Sequence, residues 1–200
     1  MEYPVLFVEL INSFKKLPGI GSKSAERMAY EVLKMKQEDV EKFATSLLNV
    51  TKINRCPVCG NLTDEGLCDI CADNTRDTSV ICVVHSTKDI FALEKMKEYN
   101  GLYHVLNGYI SPQDASSIDN LNINKLIERI NSQKVKEVIM ATDLTVEGEI
   151  TAMYISKLLE KKCNDLKVTR LAHGLPTGAT IDYSDELTLF KAFSNRKEIK

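Results

Sequence analysis

Apolar side chains recur at helical spacing three times in the first fifty residues. Phe7, Leu10, Ile11, Phe14 and Leu17 form one run, Ala25, Met28, Ala29, Val32 and Leu33 a second, and Val40, Phe43, Ala44, Leu47 and Leu48 a third. Steps of three and four put each set on one helix face, which predicts amphipathic helices over about 5–17, 22–35 and 37–51 sharing one small core. The pattern changes from residue 79. Ser79 to Val84 is a continuous β-favouring run, as in a strand buried on both faces. Leu102 to Leu106, the group Val135, Val138, Ile139 and Met140, and Leu166 to Leu171 predict three more strands. Helical spacing returns between them at Ile90, Leu93 and Met96, at Leu126, Ile127 and Ile130, and at Ile150, Met153, Tyr154 and Leu158. The polar stretch 107–121, with Gly108, Pro112 and Asn120, reads as a loop. Alternating β and α segments predict a largely parallel sheet covered by helices. An amphipathic helix near Leu187 to Phe193 ends the chain, with Lys191, Arg196, Lys197 and Lys200 making a basic tail.

Between the helical and α/β parts lies RCPVCGNLTDEGLCDICADN, residues 55–74. It holds four of the six cysteines as Cys56-x2-Cys59 and Cys68-x2-Cys71, eight residues apart. Two such hooks aim four thiolates at one tetrahedral Zn²⁺, each at about 2.3 Å. Pro57 stiffens the first knuckle, and Gly60 and Gly66 permit the turns that follow. Two disulfides are the competing arrangement, which a reducing compartment disfavours. An all-cysteine set leaves no open position for water, so this zinc is expected to be structural, one per chain.

The break between the first two helices is Leu17-Pro18-Gly19-Ile20-Gly21. Pro18 ends the first helix, the glycines permit a sharp turn, and Ser22 starts a helix whose free N–H groups face the turn. A helix N-terminus of this kind attracts phosphate. Lys23 and Arg27 share one face beyond the turn, and Lys15 and Lys16 approach from the helix before it. The string resembles a helix-hairpin-helix, a motif that grips one nucleic-acid strand by its phosphates. Contacts to phosphates position a strand without reading bases, so Lys15, Lys16, Gly19, Gly21, Lys23 and Arg27 are expected to bind DNA independently of sequence. A plain αα-hairpin corner is the alternative.

Composition narrows this further. The 200 residues are 44% hydrophobic and 27% charged with a net charge of −2, so nucleic-acid binding must come from a local patch. The N-terminal MEYPVLFVEL has no basic region and only a short, broken apolar run. Neither a signal peptide nor a membrane span is expected, and the location is expected to be cytoplasmic. Cys82 and Cys163 read as packing or surface thiols. His85, His104 and His173 are scattered and read as packing or hydrogen-bonding residues. No Ser-His-Asp set, Walker-A loop or nucleophilic cysteine setting is present.

In open parallel sheets, function gathers at the carboxyl ends of the strands. Those ends carry His85-Ser86-Thr87 and Ala141-Thr142-Asp143-Leu144-Thr145-Val146-Glu147-Gly148-Glu149. The second resembles the acidic loop of the Toprim fold, found in topoisomerases, DnaG-type primases and some nucleases. The resemblance implies a glutamate after strand one and an Asp-x-Asp after strand three, which hold Mg²⁺ in active enzymes. Here His85 and Thr145 occupy two of those three positions and Asp143 keeps the third. Glu147 and Glu149 open the next helix, where the dipole alone favours carboxylates. Two expectations follow for Asp143, Glu147 and Glu149: a Mg²⁺ set in a nuclease or primase-like enzyme, or an exposed acidic contact for a basic partner.

Taken together, LPGIG, KSAER, CPVCG, CDICAD, TVEGE, LAHGLPTGA and DELTL resemble the RecR family of bacterial recombination mediators over nearly the whole chain. The resemblance implies a helix-hairpin-helix domain over 1–54, a four-cysteine zinc finger over 55–76, a Toprim-like domain over 79–173 and a C-terminal tail over 174–200 that packs on a neighbouring subunit. It further implies a non-enzymatic, ring-like homotetramer that encircles DNA and works with RecO and RecF to place RecA on gapped or SSB-coated DNA. Relatives generally carry glutamate at the position of His85.

Overall fold

The computed structural model describes residues 3–163 and 165–198. The chain divides into two compact units, Met1–Ile53 and Asn54–Lys200.

The first unit contains α1 (Val5–Lys15), α2 (Ser22–Lys34) and α3 (Gln37–Val50). Phe7 of α1 and Ala25 and Ala29 of α2 are its buried apolar side chains. The alanines are four apart on one face, and their small side chains let α1 approach closely. Phe7 also meets the ring of Tyr30 edge-on, with centroids 4.9 Å apart. The expected three-helix core is not formed: α3 buries none of its residues. Met35 and Lys36 are both extended, with ψ of 151° and 148°, and carry the chain away from α2 before α3 begins. Phe43 therefore only borders an open groove with Phe14, Met28 and Val32, and Leu47, Leu48 and Val50 are exposed.

The second unit opens with a two-stranded antiparallel ribbon, β1 (Asn54–Arg55) and β2 (Leu62–Thr63), then the single turn α4 (Asp69–Ala72). Four parallel strands follow: β3 (Asp77–Val84), β4 (Gly101–Val105), β5 (Glu137–Ala141) and β6 (Lys167–Arg170), in the order β4-β3-β5-β6. All four lie where the apolar runs predict them, with ends displaced by two residues or fewer. Side chains alternate across the sheet. Ile81 and Val83 pack with Leu126 and Ile130 of α6 (Ile123–Gln133) and with Ile155 and Leu159 of α7 (Val146–Lys162). Cys82 and Val84 pack on the other face with Tyr103 and with Ile90 of α5 (Thr87–Glu94). Burial pushes the Cys82 thiol up to about 12, as suits a packing residue. The last helix, α8 (Glu186–Ser194), leaves Leu187, Phe190 and Phe193 exposed. Among the described residues, no helix is long and apolar enough to cross a membrane.

The cysteine segment belongs to this second unit and is tied into it. Ile70 of α4 packs against the cysteine cluster and against the apolar clusters on both sheet faces. The Val105 N–H donates to the Cys59 carbonyl at 2.7 Å.

His104 in β4 is fully buried, with Nε2 2.8 Å from the Asn122 carbonyl oxygen. Burial pushes its imidazole down to about 4. The unfolded chain titrates near the ordinary histidine value of about 6.5. Between those values the unfolded state binds a proton that the native state does not. Stability contributed by neutral His104 is therefore present above the unfolded value and lost as pH falls toward 4, by about 3 kcal/mol in all. Urea unfolding across this window should show wild type losing that much more than His104→Gln. Parallel losses in the two proteins would assign the acid sensitivity to other groups.

Candidate metal centre and nucleic-acid interface

The four sulfurs of Cys56, Cys59, Cys68 and Cys71 all lie within 4.8 Å of one another, and Cys59 Sγ is 3.5 Å from Cys68 Sγ. Tetrahedral Zn–S bonds of about 2.3 Å require S···S separations of about 3.8 Å, which this cage matches. All four cysteines are free thiols, so the disulfide arrangement is not formed. Local backbone produces the cage. The first hook is closed by Gly60 N–H on the Cys56 carbonyl at 2.9 Å and Cys56 N–H on the Asn61 carbonyl at 2.7 Å. Cys68 caps α4, which turns Cys71 back toward it. A hydrogen bond with Cys59 holds the Cys68 thiol low and pushes Cys59 up in return. Four thiolates this close cannot ionise together without a cation among them.

One residue of this centre had no spacing signal. Arg129 of α6 is buried, donates from Nη1 to the Tyr103 carbonyl at 2.6 Å, and places Nη2 3.9 Å from Cys71 Sγ. Its only sequence trace is its place three residues after Leu126, on the apolar face of α6.

At the hairpin, Gly19 has φ +80°. A β-carbon would be strained there, so the turn depends on glycine. Gly21 is extended and precedes α2, and no side chain caps the helix. The first N–H groups of α2 thus face the turn without a side-chain acceptor. Lys15, Lys16, Lys23 and Arg27 lie at the surface around it, and among the described residues none has a carboxylate partner. The arrangement supplies uncommitted positive charge beside an anion-seeking helix end.

At the carboxyl ends of β3 and β5 the acids separate. Asp143 accepts a hydrogen bond from the Tyr109 hydroxyl at 2.6 Å and faces His85, whose Nδ1 is 3.9 Å away. Glu147 is exposed. Glu149 turns to the other side, where Arg170 Nη1 donates to it at 2.6 Å and Lys191 Nζ at 3.0 Å. Partial burial pushes the Glu149 carboxyl up, but Lys191 and Arg170 outweigh it and hold the group below its usual value. The alternative grouping of Asp143, Glu147 and Glu149 as one Mg²⁺ set is therefore not assembled among the described residues. Glu149 serves instead to fasten α8 to β6. Gly148 is required in the first turn of α7, because a β-carbon there would lie 2.1 Å from the Asp143 carbonyl oxygen.

Family models match the chain in four consecutive segments: the RecR helix-hairpin-helix over residues 7–51, the RecR four-cysteine zinc-finger domain over 53–73, a Toprim domain over 79–172 and the RecR C-terminal segment over 174–197. The chain belongs to the RecR family. Its four-cysteine cage holds one structural zinc, with Cys56, Cys59, Cys68 and Cys71 as the fitting ligands. RecR domains in this order support a recombination-mediator role in DNA repair, and the helix-hairpin-helix points to DNA as a partner. The Toprim match covers the parallel sheet, in which His85 follows β3 and Asp143 and Thr145 follow β5.

Proposed function

We propose that the protein is a non-enzymatic DNA clamp that acts as a recombination mediator, working with RecO and RecF to load RecA on gapped or SSB-coated DNA in the cytoplasm. In this reading the domains run 1–54, 55–76, 79–173 and 174–200. The observation that carries it is the open hairpin, with Lys15, Lys16, Lys23 and Arg27 uncommitted around the uncapped start of α2. A net charge of −2 and one hairpin per chain make a single copy a weak binder, so tight binding calls for several hairpins on one DNA. The exposed apolar side chains Leu47 and Leu48 of α3 and Phe190 and Phe193 of α8 support assembly into a homo-oligomer, which we take to be a tetrameric ring. The exposed acids Asp143 and Glu147 suit contact with a basic partner such as RecO, whereas Glu149 is taken up by Arg170 and Lys191.

The test is a salt titration of DNA binding. Each phosphate neutralised on duplex DNA contributes about −0.9 to the log–log slope, and each cation removed should cut the slope by about one while weakening all sequences alike. Lys23→Ala/Arg27→Ala should therefore lower affinity and reduce the slope by about two. Unchanged affinity and slope would make the hairpin a simple corner and move the DNA site elsewhere. Native mass with and without DNA checks the ring.

A further inference from the structure

A groove of about 350 Å³ lies between the cysteine module and α5. Leu62, Ile70, Ile90 and Phe91 give it an apolar lining. Phe91 is 60% exposed and Leu62 39%, so two large apolar side chains meet water at one groove. Hydrogen bonds fix its floor. Arg76 donates from Nη1 to the Glu94 carboxylate at 3.0 Å and to the Gly101 carbonyl at 3.1 Å, and the Tyr103 hydroxyl donates to Glu94 at 2.7 Å. These bonds tie the segment that leaves the cysteine module to the end of α5, so the groove is preformed.

The rim of the groove is acidic. Arg76 also stands 3.8 Å from Asp73, so one cation serves two carboxylates. Asp69 adds a third, which is exposed and has no cation partner among the described residues. Cys68 lines the same groove. Four thiolates with one Zn²⁺ carry −2, of which Arg129 beside Cys71 offsets one. An apolar lining under a net negative rim is complementary to a segment that carries apolar side chains beside lysine or arginine. We propose that this groove docks a basic, amphipathic segment of a protein partner, with an apolar side chain seated on Phe91 and a cation facing Asp69.

The same charge argues against other occupants. DNA phosphates are repelled by the acidic rim. The exposed apolar helices of a second copy do not supply free cations: α3 opens with Glu38 and Asp39, and α8 commits Lys191 to Glu149 and lays Arg196 over the Phe193 ring. The groove is also separate from the acids Asp143 and Glu147. Asp143 faces His85, just before α5 begins, whereas Glu94 ends that helix, about 12 Å further on at 1.5 Å per residue. No hairpin residue takes part, so the docking site does not depend on DNA binding.

The experiment uses full-length, zinc-loaded protein and a labelled helical peptide with leucines on one face and lysines beside them. Its twin carries glutamate in place of lysine. The lysine peptide should bind, the glutamate twin should not, and binding should weaken as salt rises. Phe91→Ala should weaken binding about 10-fold or more, as for a central aromatic anchor. Asp69→Lys should weaken it and flatten the salt dependence. Both side chains are exposed, so both variants should keep zinc and the circular dichroism of wild type. Met153→Ser, at an equally exposed apolar position on α7, should bind as wild type does. In cells, photo-crosslinking from a benzoylphenylalanine placed at position 91 should capture a lysine- or arginine-rich segment of another protein. The proposal is overturned if the two peptides bind alike, if Phe91→Ala and Asp69→Lys bind as wild type, or if Met153→Ser loses as much. Cross-links that reach only a second copy, nucleic acid or nothing also overturn it.

Discussion

Cys56→Ser should leave the second unit largely unfolded or insoluble, and chelation of zinc from wild type should do the same. Structural zinc contributes about 10–16 kcal/mol in small zinc modules, against a total domain stability of about 5–15 kcal/mol. The cysteine module has little else to hold it. Its buried cluster is Cys56, Cys59 and Cys68, with Val58, Ile70 and Cys71 packed alongside. Its strands are two residues long and its helix a single turn. Losing the metal frees Ile70 from both sheet faces and the Cys59 carbonyl from Val105, so the damage spreads into the sheet. Metal analysis of undenatured protein should return one zinc per chain, and melting with a strong chelator should show a large drop in Tm. Well under one zinc, or a melt indifferent to the chelator, would contradict this account.

Arg129→Met should cost about 3–5 kcal/mol of stability, because it removes one partner of a buried charge pair. Four thiolates and one Zn²⁺ carry a net charge of −2, and Arg129 is the buried cation beside them, 3.9 Å from Cys71 Sγ. The variant also leaves the Tyr103 carbonyl without its 2.6 Å donor. Loss of such an outer contact commonly lowers metal affinity about 10–100-fold. Arg129→Lys keeps the charge but cannot reach Tyr103, Cys71 and Gln133 together as the guanidinium does, so it should fall between the two. Denaturant midpoints and chelator competition for zinc report the two effects separately. A Met variant with wild-type stability and zinc retention would reduce Arg129 to packing.

The sequence by itself determined the features that depend on neighbours in the chain. The C-x2-C hooks create their own turns, so four ligands were legible from spacing. Leu17 to Gly21 makes its corner locally, and the apolar runs located all four parallel strands. The helix start at Ser86 with Asp89 three residues on is likewise a local signature, that of a capping box. What only the tertiary structure decided were meetings between residues far apart in sequence. Cys71 meets Arg129, Tyr109 meets Asp143, and Glu149 meets Lys191, across 58, 34 and 42 residues. The parallel order β4-β3-β5-β6 creates the first two by laying the ends of separate strands and helices side by side. Periodicity states which face of a helix is apolar but not whether anything covers it. The extended link at Met35 and Lys36 leaves the apolar face of α3 open, and a short acidic string divides into Asp143 beside a histidine and Glu149 between two cations. Spacing along a chain specifies local geometry. The partners that decide charge and burial are brought together only by packing.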